Sequence, residues 1–228
     1  MKKTIFFALS ALLLICSQGY AQQADRLSKD NSIALKIGGH VYPDSDFMDF
    51  WRADAADYNG LAFELSYERM LTPNLGIEIP VGYNSSKSTY SNVFSAGDNS
   101  KVDIDNLYIS PSLKLHIPLN RVFEAYIGGG IDFYHTWVDF DYSDTSPAVF
   151  NESETANTLG YHGLAGIDWF FDNSNTSFPV SIFVEYKYTS LTVDNADDKV
   201  LDAMGSSASK HDLDVGGSSF FTGMRWHY

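Results

Sequence analysis

Residues 217–228 read GSSFFTGMRWHY, and this stretch carries the strongest fold signal in the chain. Successive side chains of a β-strand point to opposite faces, so a strand shows a period of two. One face of this stretch carries four large apolar side chains: Phe220, Met224, Trp226 and Tyr228. The other face is polar and includes Arg225. The stretch therefore predicts a strand with one apolar and one polar face.

Three further segments repeat this alternation, at residues 75–83, 107–117 and 180–189. Strands of a soluble β-sandwich also alternate, but they usually span only five or six residues. Runs of about ten residues or more suit a tilted strand that crosses a membrane. The opposite faces of these runs are too polar for a soluble core. The sequence therefore predicts an all-β protein whose strands form a transmembrane barrel.

Eight such strands are predicted, and an even number closes an antiparallel up-and-down barrel. Short and long connections alternate along the chain, which is typical of short periplasmic turns and long extracellular loops. The predicted strands span residues 32–42, 59–71, 75–87, 103–117, 122–140, 157–171, 178–193 and 217–228. The predicted long loops span residues 43–58, 88–102, 141–156 and 194–216.

Residues 1–21 have the three regions of a secretory signal peptide: two lysines, an apolar run and a short stretch that ends at Ala21. We expect cleavage after Ala21. Residues 22–31 then form a short periplasmic segment before a barrel domain of residues 32–228. A lipoprotein signal cleaved before Cys16 is the alternative, although the bulky residue before that cysteine disfavours it.

The composition excludes several classes of function. The formal net charge is −14, so the surface repels the phosphates of nucleic acids. The single cysteine lies in the predicted signal peptide, which leaves the mature chain without disulfides or thiolate metal sites. The run Gly128-Gly129-Gly130 lies in a predicted strand without a following helix, which favours close packing over phosphate binding. No cofactor is predicted.

Several motifs resemble the outer membrane protein W family within the wider group of outer membrane protein A-like barrels. They are Asn74-Leu75-Gly76-Ile77-Glu78, the segment from Ala125 to Asp132, and the closing residues 223–228. The resemblance implies an eight-stranded barrel in the outer membrane of a Gram-negative bacterium, in contact with lipid and lipopolysaccharide, that passes small hydrophobic solutes. It also implies that the terminal aromatic strand is the assembly signal for the barrel insertion machinery.

If the apolar faces meet lipid, a mixed set of charged side chains fills the barrel interior. An eight-stranded barrel is only wide enough for its own side chains, so these groups are expected to pair as a polar plug. A narrow path through the same network, opened when charges exchange partners, is the alternative. The predicted interior residues are Lys36, Glu64, Glu68, Glu78, Lys114, Glu124, Asp132, Asp168, Glu185, Lys187 and Arg225, with His40, His116, His162 and His227 nearby.

The first and last long loops carry most of the acidic residues of the chain. A solvated, self-repelling loop set is one interpretation, and a surface Ca²⁺ or Mg²⁺ site is another, although the spacing does not match an EF-hand loop. A cluster of large apolar residues in the first loop is expected to fold over the barrel mouth, and contact with a partner or ligand is the alternative. This cluster consists of Phe47, Met48, Phe50 and Trp51.

Three functions remain open at this point: a barrel that binds or passes small hydrophobic solutes, a structural or interaction barrel with acidic loops, and a lipid A-modifying enzyme. The enzyme is the least favoured, because no recognisable catalytic spacing is present. Its candidate residues are His135 with Thr136, and His211 with Ser209 and Asp212.

Overall fold

The computed structural model describes residues 30–43, 59–91, 99–120, 122–143, 149–171, 179–194, 196–197, 201 and 211–228. The strands are β1 (Asn31–Val41), β2 (Gly60–Thr72), β3 (Leu75–Ser91), β4 (Asn99–Ile109), β5 (Ser112–Pro118), β6 (Phe123–Ser143), β7 (Val149–Phe170), β8 (Val180–Ser190), β9 (Thr192–Val193), β10 (Leu213–Asp214) and β11 (Gly217–His227). The described part of the chain contains no helix long and apolar enough to cross a membrane.

Eight antiparallel strands close into a barrel, and the fourth of these consists of β4 followed by β5. Both segments pair with β3 on one side and with β6 on the other. Strand β1 closes the barrel by pairing with β11. Strands β9 and β10 form a separate hairpin. The predicted fold class, an eight-stranded antiparallel β-barrel, is confirmed.

The break between β4 and β5 lies at Pro111. Proline has no backbone N–H, so it removes one bond from a strand ladder. The neighbouring backbone bonds survive, since Ser110 N donates to Pro80 O at 3.1 Å and Ile131 N donates to Pro111 O at 3.2 Å. The barrel wall is therefore continuous across the break, as the single predicted strand over residues 103–117 requires.

The predicted strand bounds agree closely with the structure at the end of the barrel that has the short turns. At the long-loop end the prediction is wrong for two connections. Strands β3 and β4 continue into the loop predicted over residues 88–102, and β6 and β7 occupy much of the loop predicted over residues 141–156. The upper parts of these four strands extend beyond the others as a protruding sheet, which we define as residues 86–91, 99–105, 137–143 and 149–158.

The distribution of apolar side chains inverts where the protruding sheet begins. In the lower part of β4, Leu107 and Ile109 point outward and are nearly half exposed. In its upper part, Val102 and Ile104 point inward and are fully buried. Strand β4 keeps one register with β6 throughout. The lower wall therefore has the apolar outside of a membrane barrel, whereas the protruding sheet has the apolar inside of a water-soluble domain.

An apolar core closes the barrel at the long-loop end. After β8 the chain turns inward, so that the β9–β10 hairpin packs against the inner face of the protruding sheet. The members of this apolar core are Tyr42, Val102, Ile104, Tyr108, Tyr134, Val138, Phe140, Leu191, Val193, Ala196, Leu213 and Val215. Gly217 (φ 117°) directs the chain out of this core into β11, in a backbone conformation that favours glycine.

Candidate functional site

The structure places all eleven predicted interior residues on inward-facing strand positions. Ten of them are buried, and Glu124 at the short-turn end is partly buried. Charged groups that leave water need close partners of opposite sign, because the desolvation cost is otherwise uncompensated. The geometry of these pairs therefore decides whether the interior is closed.

Two lysines hold the centre of the interior. Lys36 Nζ lies 2.7 Å from Glu185, 3.0 Å from Glu64 and 3.3 Å from Glu78. Lys114 Nζ lies 2.6 Å from Glu78 and 3.0 Å from Glu185. Each lysine thus shares carboxylates with the other, and the five side chains form one connected central cluster.

The short-turn end is closed by an arginine and a histidine. Arg225 Nη1 donates to Asp168 at 2.5 Å and lies 3.8 Å from Glu68. His116 bridges two carboxylates, with its ring nitrogens 2.6 Å from Glu68 and 2.7 Å from Glu124. These contacts join five strands, β2, β5, β6, β7 and β11, across the barrel mouth.

Two tyrosines pack against glycines on the neighbouring strand and reach the central cluster. Tyr126 lies over Gly166 and donates to Glu185 at 3.0 Å. Tyr108 lies over Gly82 and donates to Glu64 at 3.0 Å. A Cβ atom at either glycine would lie within 2.5 Å of the tyrosine ring. The glycines are thus needed for close approach, and the alternation pattern alone does not reveal this.

A Ser-His-Asp arrangement lies beside the central cluster, and the sequence analysis missed it. His162 Nε2 lies 2.8 Å from Ser112 Oγ, and its Nδ1 lies 3.0 Å from Asp132 Oδ1. All three side chains are buried, and Lys187 Nζ lies 3.6 Å from the same aspartate. Hydrolytic triads use this order of contacts, but a nucleophile must also reach a substrate. Here the three groups serve as part of the polar interior.

The candidate catalytic pair of His135 and Thr136 does not come together. His135 lies on the outer wall with Nδ1 2.7 Å from Asn157, whereas Thr136 points inward and donates to Asn106 at 2.6 Å. In the second candidate group, His211 pairs with Asp197, at 2.7 Å through its ring and 2.8 Å through its backbone N–H.

The remaining predicted site residues fall into two groups. Phe47, Met48, Phe50, Trp51 and Ser209 lie outside the described residues, as do the signal peptide of residues 1–21 and most of residues 22–31. Phe220, Met224, Trp226 and Tyr228 are exposed on the outer wall of β11 and just after it, and their role as an assembly signal stays a prediction. Among the described residues, no group of three or more His, Asp or Glu side chains could hold a metal ion.

Comparison with known proteins now identifies the family. Residues 7–215 match the family described as the outer membrane protein beta-barrel domain. The chain belongs to this family. Its place is therefore the bacterial outer membrane, where the apolar outer wall contacts lipid and lipopolysaccharide, and the long-loop end is extracellular.

Solved structures that are similar to this outer-membrane barrel share little sequence with it. OprG from Pseudomonas aeruginosa is 16% identical, with a TM-score of 0.52, over 88% of this chain and 97% of its own. Neisserial surface protein A is 12% identical, with a TM-score of 0.45, over 87% and 95%. Ail from Yersinia pestis, in complex with a heparin analogue, is 14% identical, with a TM-score of 0.42, over 89% and 100%. No curated protein matches the sequence significantly.

Proposed function

We propose that this outer-membrane protein is a closed interaction barrel, which anchors its protruding sheet and loops at the cell surface. The observation that carries the proposal is the charged interior. Lys36, Lys114 and Arg225 are each about 1% exposed or less and contact buried carboxylates.

A solute would have to displace this network in order to pass. Removing one partner of a buried pair leaves an uncompensated charge, which costs about 3–5 kcal/mol. Above the central cluster the solute would then meet the apolar core, which fills the extracellular mouth. Neither layer supports passage of small hydrophobic solutes through the barrel.

Conductance in planar lipid bilayers tests this proposal. We expect the intact protein to give no solute-selective current. The double variant Lys36→Ala and Lys114→Ala leaves three central carboxylates without their nearest cations, so we expect water to enter and a cation-selective current to appear. The matched control is Lys87→Ala and Lys101→Ala, which removes two lysines from the protruding sheet and is expected to give no current. A robust current from the intact protein would refute the closed barrel.

One observation favours binding of a hydrophobic solute on the outer wall of the barrel, rather than in its interior. A groove of about 600 Å³ lies on the lipid-facing wall, between β1, β11, β8 and β7. Ile37, Ala165, Val184, Phe220 and Thr222 contribute to its lining. Its apolar lining suits an alkyl chain that arrives from the membrane rather than through the barrel.

Methyl NMR in lipid nanodiscs tests this second candidate. Titration with dodecane is expected to shift the methyl signals of Ala165 and Thr222 more than those of Leu113, which is exposed on the opposite wall. Ala165→Trp fills the groove and is expected to abolish the selective shift, whereas Ala125→Trp, outside the groove, leaves it intact. Equal shifts on both walls would show that dodecane only dissolves in the lipid.

A further inference from the structure

A second groove on the outer wall lies where the protruding sheet begins. It has a volume of about 610 Å³ and runs over β3, β4, β6 and β7. Its lining includes the apolar residues Val81, Ile109 and Leu159 and the polar residues His135 and Asn157. Ligand sites commonly combine an apolar lining with a few polar groups that fix the orientation of the ligand. The groove is therefore suited to an amphiphilic ligand.

The strand register explains the change from apolar to polar along this groove. Outward residues of the four strands lie opposite one another in rows, which are about 7 Å apart along the strands. The apolar row consists of Val81, Ile109, Phe133 and Leu159, all of which are exposed. The next row towards the protruding sheet consists of Tyr83, Leu107, His135 and Asn157. The groove thus leads from the lipid-facing wall towards the extracellular side.

The polar end of the groove offers both hydrogen-bond donors and acceptors. Nδ1 of His135 lies 2.7 Å from Oδ1 of Asn157, and Nδ1 donates because this amide oxygen only accepts. Nε2 of the neutral imidazole is then an acceptor, whereas the amide nitrogen of Asn157 is a donor. In the same region, Asp105 accepts a hydrogen bond from the Tyr83 hydroxyl at 2.6 Å. A ligand head at this end therefore meets groups of both kinds.

These groups favour a hydroxylated head over a phosphate. A hydroxyl can donate to His135 or Asp105 and can accept from Asn157, whereas an ionised phosphodiester only accepts. The Asp105 carboxylate would also repel a phosphate. Lys87 and Lys101 lie further along the protruding sheet, but both bind Asp103, at 3.0 and 2.8 Å. The lipid head that matches this end of the groove is a sugar.

We propose that this groove binds a glycolipid of the outer leaflet. One acyl chain lies against Val81, Ile109 and Leu159, and sugar hydroxyls form hydrogen bonds with His135 and Asn157. The position of the groove supports this occupant, because its apolar part faces lipid and its polar part lies on the extracellular side. The inference goes beyond the proposed interaction function and does not depend on whether the barrel conducts.

NMR of the full chain in phosphatidylcholine nanodiscs tests the site, with glucosyl diacylglycerol as the probe. We expect saturable shifts of the Leu159 methyl signals and of the Asn157 side-chain amide as the mole fraction of the probe rises. Phosphatidylglycerol with the same acyl chains is the matched lipid control and should give no saturable shift. Soluble glucose should also give none, because it lacks the chain that fills the apolar part.

Variants of the protein separate the two parts of the site. Ile109→Trp fills the apolar part and is expected to abolish saturation, whereas Leu113→Trp, lower on the same barrel strand and outside the groove, should retain it. Asn157→Leu leaves the apolar part intact but removes the polar contact. We expect it to raise the half-saturating mole fraction about tenfold, because one or more net hydrogen bonds are lost. Thr89→Leu, on the outer face of β3 away from the groove, should leave this mole fraction unchanged, and heat-modifiable gel mobility checks that each variant is folded.

Three outcomes would overturn the glycolipid site. Equal saturable shifts with phosphatidylglycerol would show that the sugar is not recognised. Shifts that grow in proportion to the probe, without saturation, would show that the glycolipid only dissolves in the surrounding lipid. Unchanged saturation in both Ile109→Trp and Asn157→Leu would place the binding elsewhere. Failure of this inference is distinguishable from failure of the closed barrel, because lipid binding and bilayer conductance are measured separately.

Discussion

Strand β4 has two halves with opposite chemistry and the same pairing. In the membrane half, Leu107 points outward to lipid and Tyr108 points inward to the charged interior. In the protruding half, Ile104 points inward to the apolar core and Asp103 lies on the outer face beside Lys101. The register with β6 does not change between the halves. The hydrophobic pattern therefore depends on whether lipid or water surrounds the barrel wall. The pairing between the strands is the same in both halves.

The two halves also depend on different forces. Water surrounds the protruding sheet, so burying Val102 and Ile104 is favourable in the ordinary way. Lipid surrounds the membrane half, so an apolar interior would gain little over the outside. The interior is instead held by ion pairs, which stabilise only while every partner is present. Substitutions in the two halves should consequently differ in how much stability they remove and in how far from the substituted residue the effect extends.

The largest effect is expected from Lys36→Met in the central cluster. This change removes the cation that lies within 3.3 Å of three carboxylates, and breaking a buried pair costs about 3–5 kcal/mol. Urea unfolding in lipid vesicles, followed by tryptophan fluorescence, measures the loss for the whole barrel. Leu35→Met, on the lipid side of the same strand, is the control and should change little.

A second substitution checks the cause of that loss. Adding Glu185→Gln to Lys36→Met removes one of the carboxylates left without its cation, so part of the stability should return. If the double variant is no more stable than Lys36→Met, charge imbalance is not the reason for the loss.

A somewhat smaller and local effect is expected from Ile104→Ala in the apolar core. Deleting buried methyl groups leaves a cavity and costs about 2–4 kcal/mol. The protruding sheet lies outside the membrane, so hydrogen exchange should accelerate at residues 99–105 and 137–143 and remain slow around Lys36. Leu107→Ala, which faces lipid, serves as the comparison. Equal acceleration throughout the barrel would show that the two halves unfold as one unit.

The sequence predicted the membrane half well and the protruding half poorly, for one physical reason. Period-two alternation identified the strands and the inward position of Lys36, Glu78 and Arg225. It did so because, throughout the membrane half, apolar residues face the lipid and polar residues face the interior. In β4 the phase reverses between Ile104 and Leu107, so the alternation of the membrane half does not continue above this point, and residues 88–102 were predicted as a loop. In β4, apolar residues occupy even-numbered positions up to Ile104 and odd-numbered positions from Leu107. This change within one continuous strand is the signal that would have revealed the protruding sheet.

Contacts across the barrel could not be predicted in this way. The pairing of His211 with Asp197 and the approach of Tyr126 to Gly166 depend on how distant segments meet in three dimensions. Alternation gives the face of each residue but not its height in the barrel, because strand tilt and stagger decide which inward groups meet. The interior was therefore predicted as a set of residues and not as pairs.

A moderate effect is expected from Gly82→Ala at the boundary between the two halves. Tyr108 stacks on Tyr134 with ring centroids 4.7 Å apart and also donates to Glu64 below. The new Cβ would lie 2.3 Å from Tyr108 Cζ, so the ring must move and release Glu64, at a cost of about 1–3 kcal/mol. The double variant Gly82→Ala and Tyr108→Leu should recover part of this loss, and urea unfolding measures both. If the double variant is no more stable than Gly82→Ala, the strain lies in the backbone and not in the position of the Tyr108 ring.

The smallest effect is expected from the pH dependence of the protruding sheet. Burial opposes ionisation of Asp103, but hydrogen bonds from Lys101 and Lys87, at 2.8 and 3.0 Å, hold the pKa of its carboxyl below the ordinary value. The folded state therefore binds this proton more weakly than the unfolded state. Its contribution to stability is fully present above about pH 4 and is lost as the pH falls through the lowered pKa.

Hydrogen exchange at residues 99–105 between about pH 5 and pH 2 measures this contribution, after correction for the intrinsic pH dependence of exchange. Asp103→Asn should remove the local loss of protection at low pH, whereas Asp139→Asn on the neighbouring strand should retain it. The effect should be small and should shrink further in high salt, because both lysines are exposed and exposed pairs are screened. If the Asp103→Asn variant loses protection at low pH in the same way as the unchanged protein, a group other than Asp103 causes the loss. The protruding sheet would then depend on charge to a greater degree than its apolar core suggests.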